Sequence, residues 1–182
     1  GSLALQSNGT TKATVSSTGM YIPGHILQVV QTGTNTLTTI TTTAGNTFTN
    51  YSSLNTSITP SSSTSKILVW VNLNVSVSTG TGGYPKWRLV RNGSELSTPL
   101  GAASGSAVQA SFGGLYGAQN CIVLPTTWAY VDSPGSTSAQ TYSLNVNWGA
   151  GSRTGYINQS EFNGNQDSTT AYSTMILMEI GA

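Results

Sequence analysis

Apolar and polar residues alternate along most of this chain, and no window carries the three-to-four-residue spacing of a helix. The clearest stretch is Ile67-Leu68-Val69-Trp70-Val71-Asn72-Leu73-Asn74-Val75-Ser76-Val77. There Val69, Val71, Leu73, Val75 and Val77 fall in one phase and Asn72, Asn74 and Ser76 in the other. That is the period-two pattern of a strand with one buried face. Tyr142-Ser143-Leu144-Asn145-Val146-Asn147-Trp148 repeats it. Trp87 to Arg91, then Asn92-Gly93, then Ser94-Glu95-Leu96 reads as a hairpin, because Asn-Gly tolerates the two positive φ angles of a type I′ turn. Further strands are predicted over 25–32, 34–43, 47–58, 109–116, 120–132, 153–158 and 172–180, with turn clusters at 80–83, 98–105, 133–138 and 163–169 between them. Short strands at this spacing predict an all-β fold, a jelly-roll-like antiparallel β-sandwich.

Two segments depart from the pattern. Thr174-Met175-Ile176-Leu177-Met178-Glu179-Ile180 is apolar in both phases, so both of its faces are expected to be covered. A second subunit is a natural cover for the outer one. Residues 3–22 hold a short strand, an Asn8-Gly9 turn, a second strand and a glycine turn, too little to enclose a core. Wound with two copies of itself, such a segment could form a fibrous stem. The expected division is therefore a β-rich stem over 1–22 and a head domain over 23–182, with Gly1-Ser2 read as a cloning remnant.

Length and charge narrow the function. A chain of 182 residues is one domain by size. Only 6% of its residues are charged, with a formal net charge of +1, where about a quarter is usual. Ser and Thr, roughly three residues in ten, take the place of charge on the surface. Lys86, Arg88 and Arg91 are the only local basic group, so no nucleic-acid partner is expected. No apolar run is long enough for a membrane span, and no membrane insertion is expected. Cys121 is the only cysteine, which rules out an internal disulfide; in Cys121-Ile122-Val123-Leu124 it reads as a small buried hydrophobe.

Catalytic and metal chemistry find little purchase. With one histidine, one cysteine and scattered acids, no zinc or calcium spacing occurs within the chain, and no cofactor is expected. His25 reaches a metal only if three copies meet on a three-fold axis. Gly101-Ala102-Ala103-Ser104-Gly105 is a small-residue loop rather than a nucleophile turn. Glu161 and Asp167 share a turn without further glycosidase features. The chain is expected not to be an enzyme.

The aromatics remain. Trp70 and Tyr130 sit in strands and read as core or interface. Tyr84, Trp87, Trp128, Trp148 and Tyr156 lie near strand ends, beside amides and, further on, Arg153 and Asp167. Rings that cover sugar C–H groups, with neutral hydrogen-bonding side chains beside them, suit a saccharide. These seven residues make the expected ligand site.

Two stretches together resemble a known family. Asn8-Gly9-Thr10-Thr11-Lys12-Ala13-Thr14-Val15-Ser16-Ser17-Thr18-Gly19-Met20-Tyr21-Ile22 is similar to the shaft repeat of bacteriophage fibres. The succession Gly24-His25-Ile26-Leu27-Gln28-Val29, Ile58-Thr59-Pro60-Ser61, Lys66-Ile67-Leu68-Val69, Trp87-Arg88-Leu89-Val90-Arg91, Tyr130-Val131-Asp132-Ser133-Pro134-Gly135, Tyr156-Ile157-Asn158 and Met175-Ile176-Leu177-Met178-Glu179-Ile180 resembles the carboxy-terminal head domain of phage tail fibres. That resemblance implies a homotrimer at the virion surface whose head binds a host cell-surface receptor, often a polysaccharide. It transfers no binding residues. A structural alternative, a virion decoration or trimerisation cap without a ligand, fits the same features.

Overall fold

The computed structural model describes all residues except 18, 43–46, 79–82, 114–121, 150, 162–163, 165–167 and 182. Cys121 and Asp167 thus lie outside the described residues. Three strands, β1 (Leu3–Ser7), β2 (Thr10–Ser16) and β3 (Gly19–Tyr21), form a separate antiparallel sheet. Its first turn places Asn8 at φ 52° and Gly9 at φ 72°, as an Asn-Gly turn requires. Leu3, Val15 and Met20 stand opposite one another across the three strands. All three are exposed, as is Leu5, so this sheet buries almost nothing within one chain.

The rest is a sandwich-like pair of antiparallel sheets. The first sheet is centred on the twelve-residue β7 (Lys66–Val77). β11 (Leu124–Asp132) pairs along one edge of β7, from Leu124 opposite Val75 to Asp132 opposite Ile67. The other edge is shared by β14 (Ser173–Ile180) over the first half and β13 (Arg153–Ile157) over the second. Beyond them lie β4 (Ile26–Thr34) and β5 (Thr38–Thr42) respectively. The second sheet runs β6 (Thr49–Ile58), β12 (Gln140–Asn147) and β8 (Lys86–Arg91), with β9 (Ser94–Glu95) and β10 (Phe112–Gly113) on its last edge.

The alternation read from the sequence sets the core. Val69, Val71, Leu73, Val75 and Val77 of β7 all point inward and are buried, and they pack with Leu89, Leu144, Val146 and Leu177 from neighbouring strands. The hairpin also forms as expected, with Asn92 at φ 51° and Gly93 at φ 81°. The long segment 25–43 is not one strand and a second immediately after it: β4 continues to Thr34 and the chain breaks at 35–37. Among the described residues of 109–116, which are 109–113, Phe112 and Gly113 pair as a strand; Ser111 donates its backbone N–H to the Trp87 carbonyl, and its Oγ accepts from the Leu89 N–H.

Polar ties hold the periphery. Buried Asp132 accepts from Arg91 at 2.6 Å and from the Tyr142 hydroxyl at 2.7 Å, joining β8, β11 and β12. Buried Glu179 accepts from Gln28 Nε2 at 2.6 Å and from the Ser61 backbone N–H and Oγ, each at 2.7 Å. Burial alone would raise its pKa, but hydrogen bonds from Gln28 and Ser61 outweigh it and hold the carboxyl below its usual value. A depressed folded pKa contributes stability that is present above the ordinary glutamate range, about 4.3, and is lost as pH falls through the folded value. Acid unfolding of the native chain should therefore steepen below about pH 4. Glu179→Gln should flatten that limb; identical acid profiles for the two proteins would contradict this.

Candidate functional site

Register fixes which strand ends lie together. Thr42 faces Arg153, Val77 faces Gly155, and both Asn147 and Gly113 face Lys86, so these ends share one end of the sandwich. Each sheet is extended there by one more bond, Tyr84 N–H to the Trp148 carbonyl at 2.9 Å and Ser78 N–H to the Thr154 carbonyl at 3.0 Å, and the two sheets are tied by Trp148 N–H donating to Thr42 Oγ1 at 3.2 Å. Ile26, Lys66 and Ile180 lie at the opposite end, where the three-stranded sheet joins.

The first end carries an open cleft of about 360 Å³ lined by Tyr84, Pro85, Lys86, Gly101, Ala102, Val108, Gln109, Ala110, Phe112 and Gly113. Segment 101–110 forms one wall. It is tied down by Gly101 N–H to the Ala110 carbonyl (3.0 Å), Gln109 Nε2 to the Gly101 carbonyl (2.7 Å) and Arg88 Nε to the Gln109 carbonyl (2.9 Å). Gly113 lies so close to the Pro85 carbonyl that a Cβ there would overlap it, which lets these two segments meet. Phe112 stacks on Trp87, with ring centroids 6.1 Å apart, so the cleft rests on the core. Tyr84 is the exposed ring, 51% accessible. Burial lowers the pKa of Lys86.

The structure separates the seven expected ligand residues. Tyr84 lines the cleft. Trp87 and Trp148 are fully buried, their rings 5.8 Å apart and edge to face, so they belong to the core and cannot cover a sugar. This corrects the sequence reading. Trp128 is half-buried, stacked against Phe112 at 4.9 Å and Tyr130 at 5.9 Å, and is likewise part of the aromatic packing between the sheets. Arg153 is half-buried at the start of β13. Tyr156 stands opposite Thr39 and Ser76, away from the cleft; burial first, then Glu161, raises its pKa. Asp167 is outside the described residues.

His25 is exposed at the junction with the three-stranded sheet. Its backbone N–H donates to Ile22 and its carbonyl accepts from Gly181. Among the described residues no group of three His, Cys, Asp or Glu side chains could hold a metal ion.

Sequence reasoning passed over Lys86, Gln109 and Phe112. The signal available was weak: three residues on different segments, joined only by the fold. The phase of the two buried tryptophans was legible, since Trp148 continues the inward series Tyr142, Leu144, Val146.

A second surface stands out on the outer face of the first sheet. One row across four strands reads Val29, Met178, Leu68, Val131, and the next reads Gln31, Ile176, Trp70, Ala129. Val29 is 56% exposed, Trp70 44% and Val131 44%, and neither row contains a charge. Trp70, Ile176 and their polar neighbours Asn72, Thr127 and Thr174 line a shallow depression of about 270 Å³.

No protein-family model matches the chain, and no curated protein is similar to it in sequence.

Proposed function

We propose that this chain is the distal tip of a phage tail fibre, a homotrimeric, jelly-roll-like head on a short stem that binds a host cell-surface polysaccharide during adsorption and catalyses nothing. The observation that carries the reading is polarity: the stem-like sheet joins one end of the sandwich, and the cleft with exposed Tyr84 opens at the other. A jelly-roll order is supported by the chain's path, in which β5 to β6, β6 to β7, β7 to β8, β11 to β12 and β12 to β13 each pass from one sheet to the other. A trimer is supported by the uncharged apolar rows on the outer face and by the exposed Leu3, Leu5, Val15 and Met20 of the stem, since closed symmetry would bury both. His25 would then sit near the stem junction of each copy, where an axial metal would have to bind.

Each saccharide contact would be weak, because sugar hydroxyls must be desolvated. Three sites on one trimer raise effective affinity by about 10²–10⁴ without new contacts. Light scattering should give three times the 18.8 kDa of one chain. Trp70→Asp should reduce that mass without unfolding the sandwich; a monomeric native protein at micromolar concentration contradicts the assembly. On a glycan array the trimer should bind a restricted set of sugars, and Tyr84→Ala should lose them. The burial of Trp87 and Trp148 favours one second reading, a structural cap that registers the shaft and binds nothing; an array with no signal would support it.

A further inference from the structure

Resting on that reading of the cleft, we infer that the saccharide it takes is acidic, with a sugar carboxylate set against Lys86 and the ring's C–H face laid on Tyr84. The first argument is an account of charges. The carboxylates among the described residues are all engaged elsewhere: Glu95 with Arg88, Asp132 with Arg91, Glu179 with Gln28 and Ser61, and Glu161 with the Ser78 hydroxyl. Lys86 has no ion pair or side-chain hydrogen bond among the described residues, although it is half-buried in the cleft wall. A partly desolvated ammonium without an anion is unfavourable, and its lowered pKa has that same cause. A ligand carboxylate would relieve it.

The second argument is geometry. Arg88, the neighbouring cation on β8, is not available to an anion: it is paired with Glu95 at 2.7 Å, donates to the Gln109 carbonyl, and lies 4.1 Å over the Phe48 ring. The cleft therefore offers one ammonium, suited to one negative charge rather than to a doubly charged phosphate cluster. Tyr84 beside it supplies the exposed aromatic face that pyranose C–H groups cover. In the 101–110 wall the Gln109 amide donates through Nε2 to the Gly101 carbonyl, which leaves its Oε1 to accept from a sugar hydroxyl.

The test uses the intact trimer and a panel of uronic-acid and sialic-acid oligosaccharides, each beside its carboxyl-reduced form, together with neutral oligosaccharides and a poly(glycerol phosphate). Binding is measured by titration for the native protein and for Lys86→Gln, with melting temperature as the folding control. The expected result is selective binding of one or more carboxylated sugars, weakened about ten-fold by carboxyl reduction and by Lys86→Gln alike. The two changes together should cost little more than either alone, because they remove the same contact. Affinity should also fall as salt rises. The inference is overturned if reduced and carboxylated forms bind equally, if Lys86→Gln binds as the native protein does, or if only neutral sugars or the phosphodiester polymer bind. Binding of neutral sugars alone would leave the proposed function standing, whereas no binding to any glycan and none to cells would remove both.

Discussion

Replacing Leu73 by alanine is expected to lower the unfolding free energy by about 2–5 kcal/mol. Leu73 is fully buried near the middle of β7, the strand on which β11, β13 and β14 all pair. Removing its isobutyl group loses the transfer free energy of those carbons and leaves a cavity. The cavity cannot collapse easily, because β7 is held on both edges by ladder hydrogen bonds. For a chain of this length the melting temperature should fall by roughly 2–4 °C per kcal/mol. Asn74→Ala, one residue on and facing out, is the register control, and should cost less than the core change. A Leu73→Ala protein that melts with the native one would place the alternation of β7 in the wrong phase.

Gly155→Ala should be nearly as damaging for the opposite reason. Gly155 lies in β13 between Ile40 and Val77, and a methyl group there would overlap the six-membered ring of the Trp148 indole. That ring is fully buried and packed edge-on against Trp87, so it has nowhere to go. Overpacking of this kind costs about 1–3 kcal/mol, and a rigid bicyclic neighbour puts it at the upper end or beyond. Gly33→Ala is the matched comparison. A methyl there would meet the hydroxyl end of Tyr172, which is 53% exposed and free to swing outward. Equilibrium denaturation should rank the two variants clearly, Gly155→Ala far below Gly33→Ala. Equal stabilities would mean that the Trp148 ring does not sit on Gly155.

These two residues also mark what the sequence made legible. Leu73 was readable as core because a twelve-residue strand with one buried face carries its own phase. The Asn92-Gly93 hairpin was readable because few other dipeptides accept two positive φ angles. Gly155 was not, because its role is to have no side chain opposite a tryptophan distant in the sequence. The candidate site suffered from the same limit. Trp87, Trp128 and Trp148 lie near strand ends in the sequence, yet strand ends of a sandwich still face inward at alternate positions, and all three rings are drawn into one aromatic cluster with Phe112. Of the five rings expected at the site, Tyr84, which precedes β8, is the one that is exposed. Lys86 joins Tyr84 only through the fold, which brings residues of the 101–110 segment to the same cleft.

The central claim is that the domain adheres to a bacterial surface through its cleft end, and adsorption of the fluorescently labelled protein to a panel of bacterial strains tests it most directly. The account predicts saturable binding to some strains and not others, competed by the unlabelled protein and by polysaccharide purified from a bound strain, and lost in Tyr84→Ala while its mass and melting temperature stay native. Binding to no strain, or undiminished binding by folded Tyr84→Ala, would contradict it.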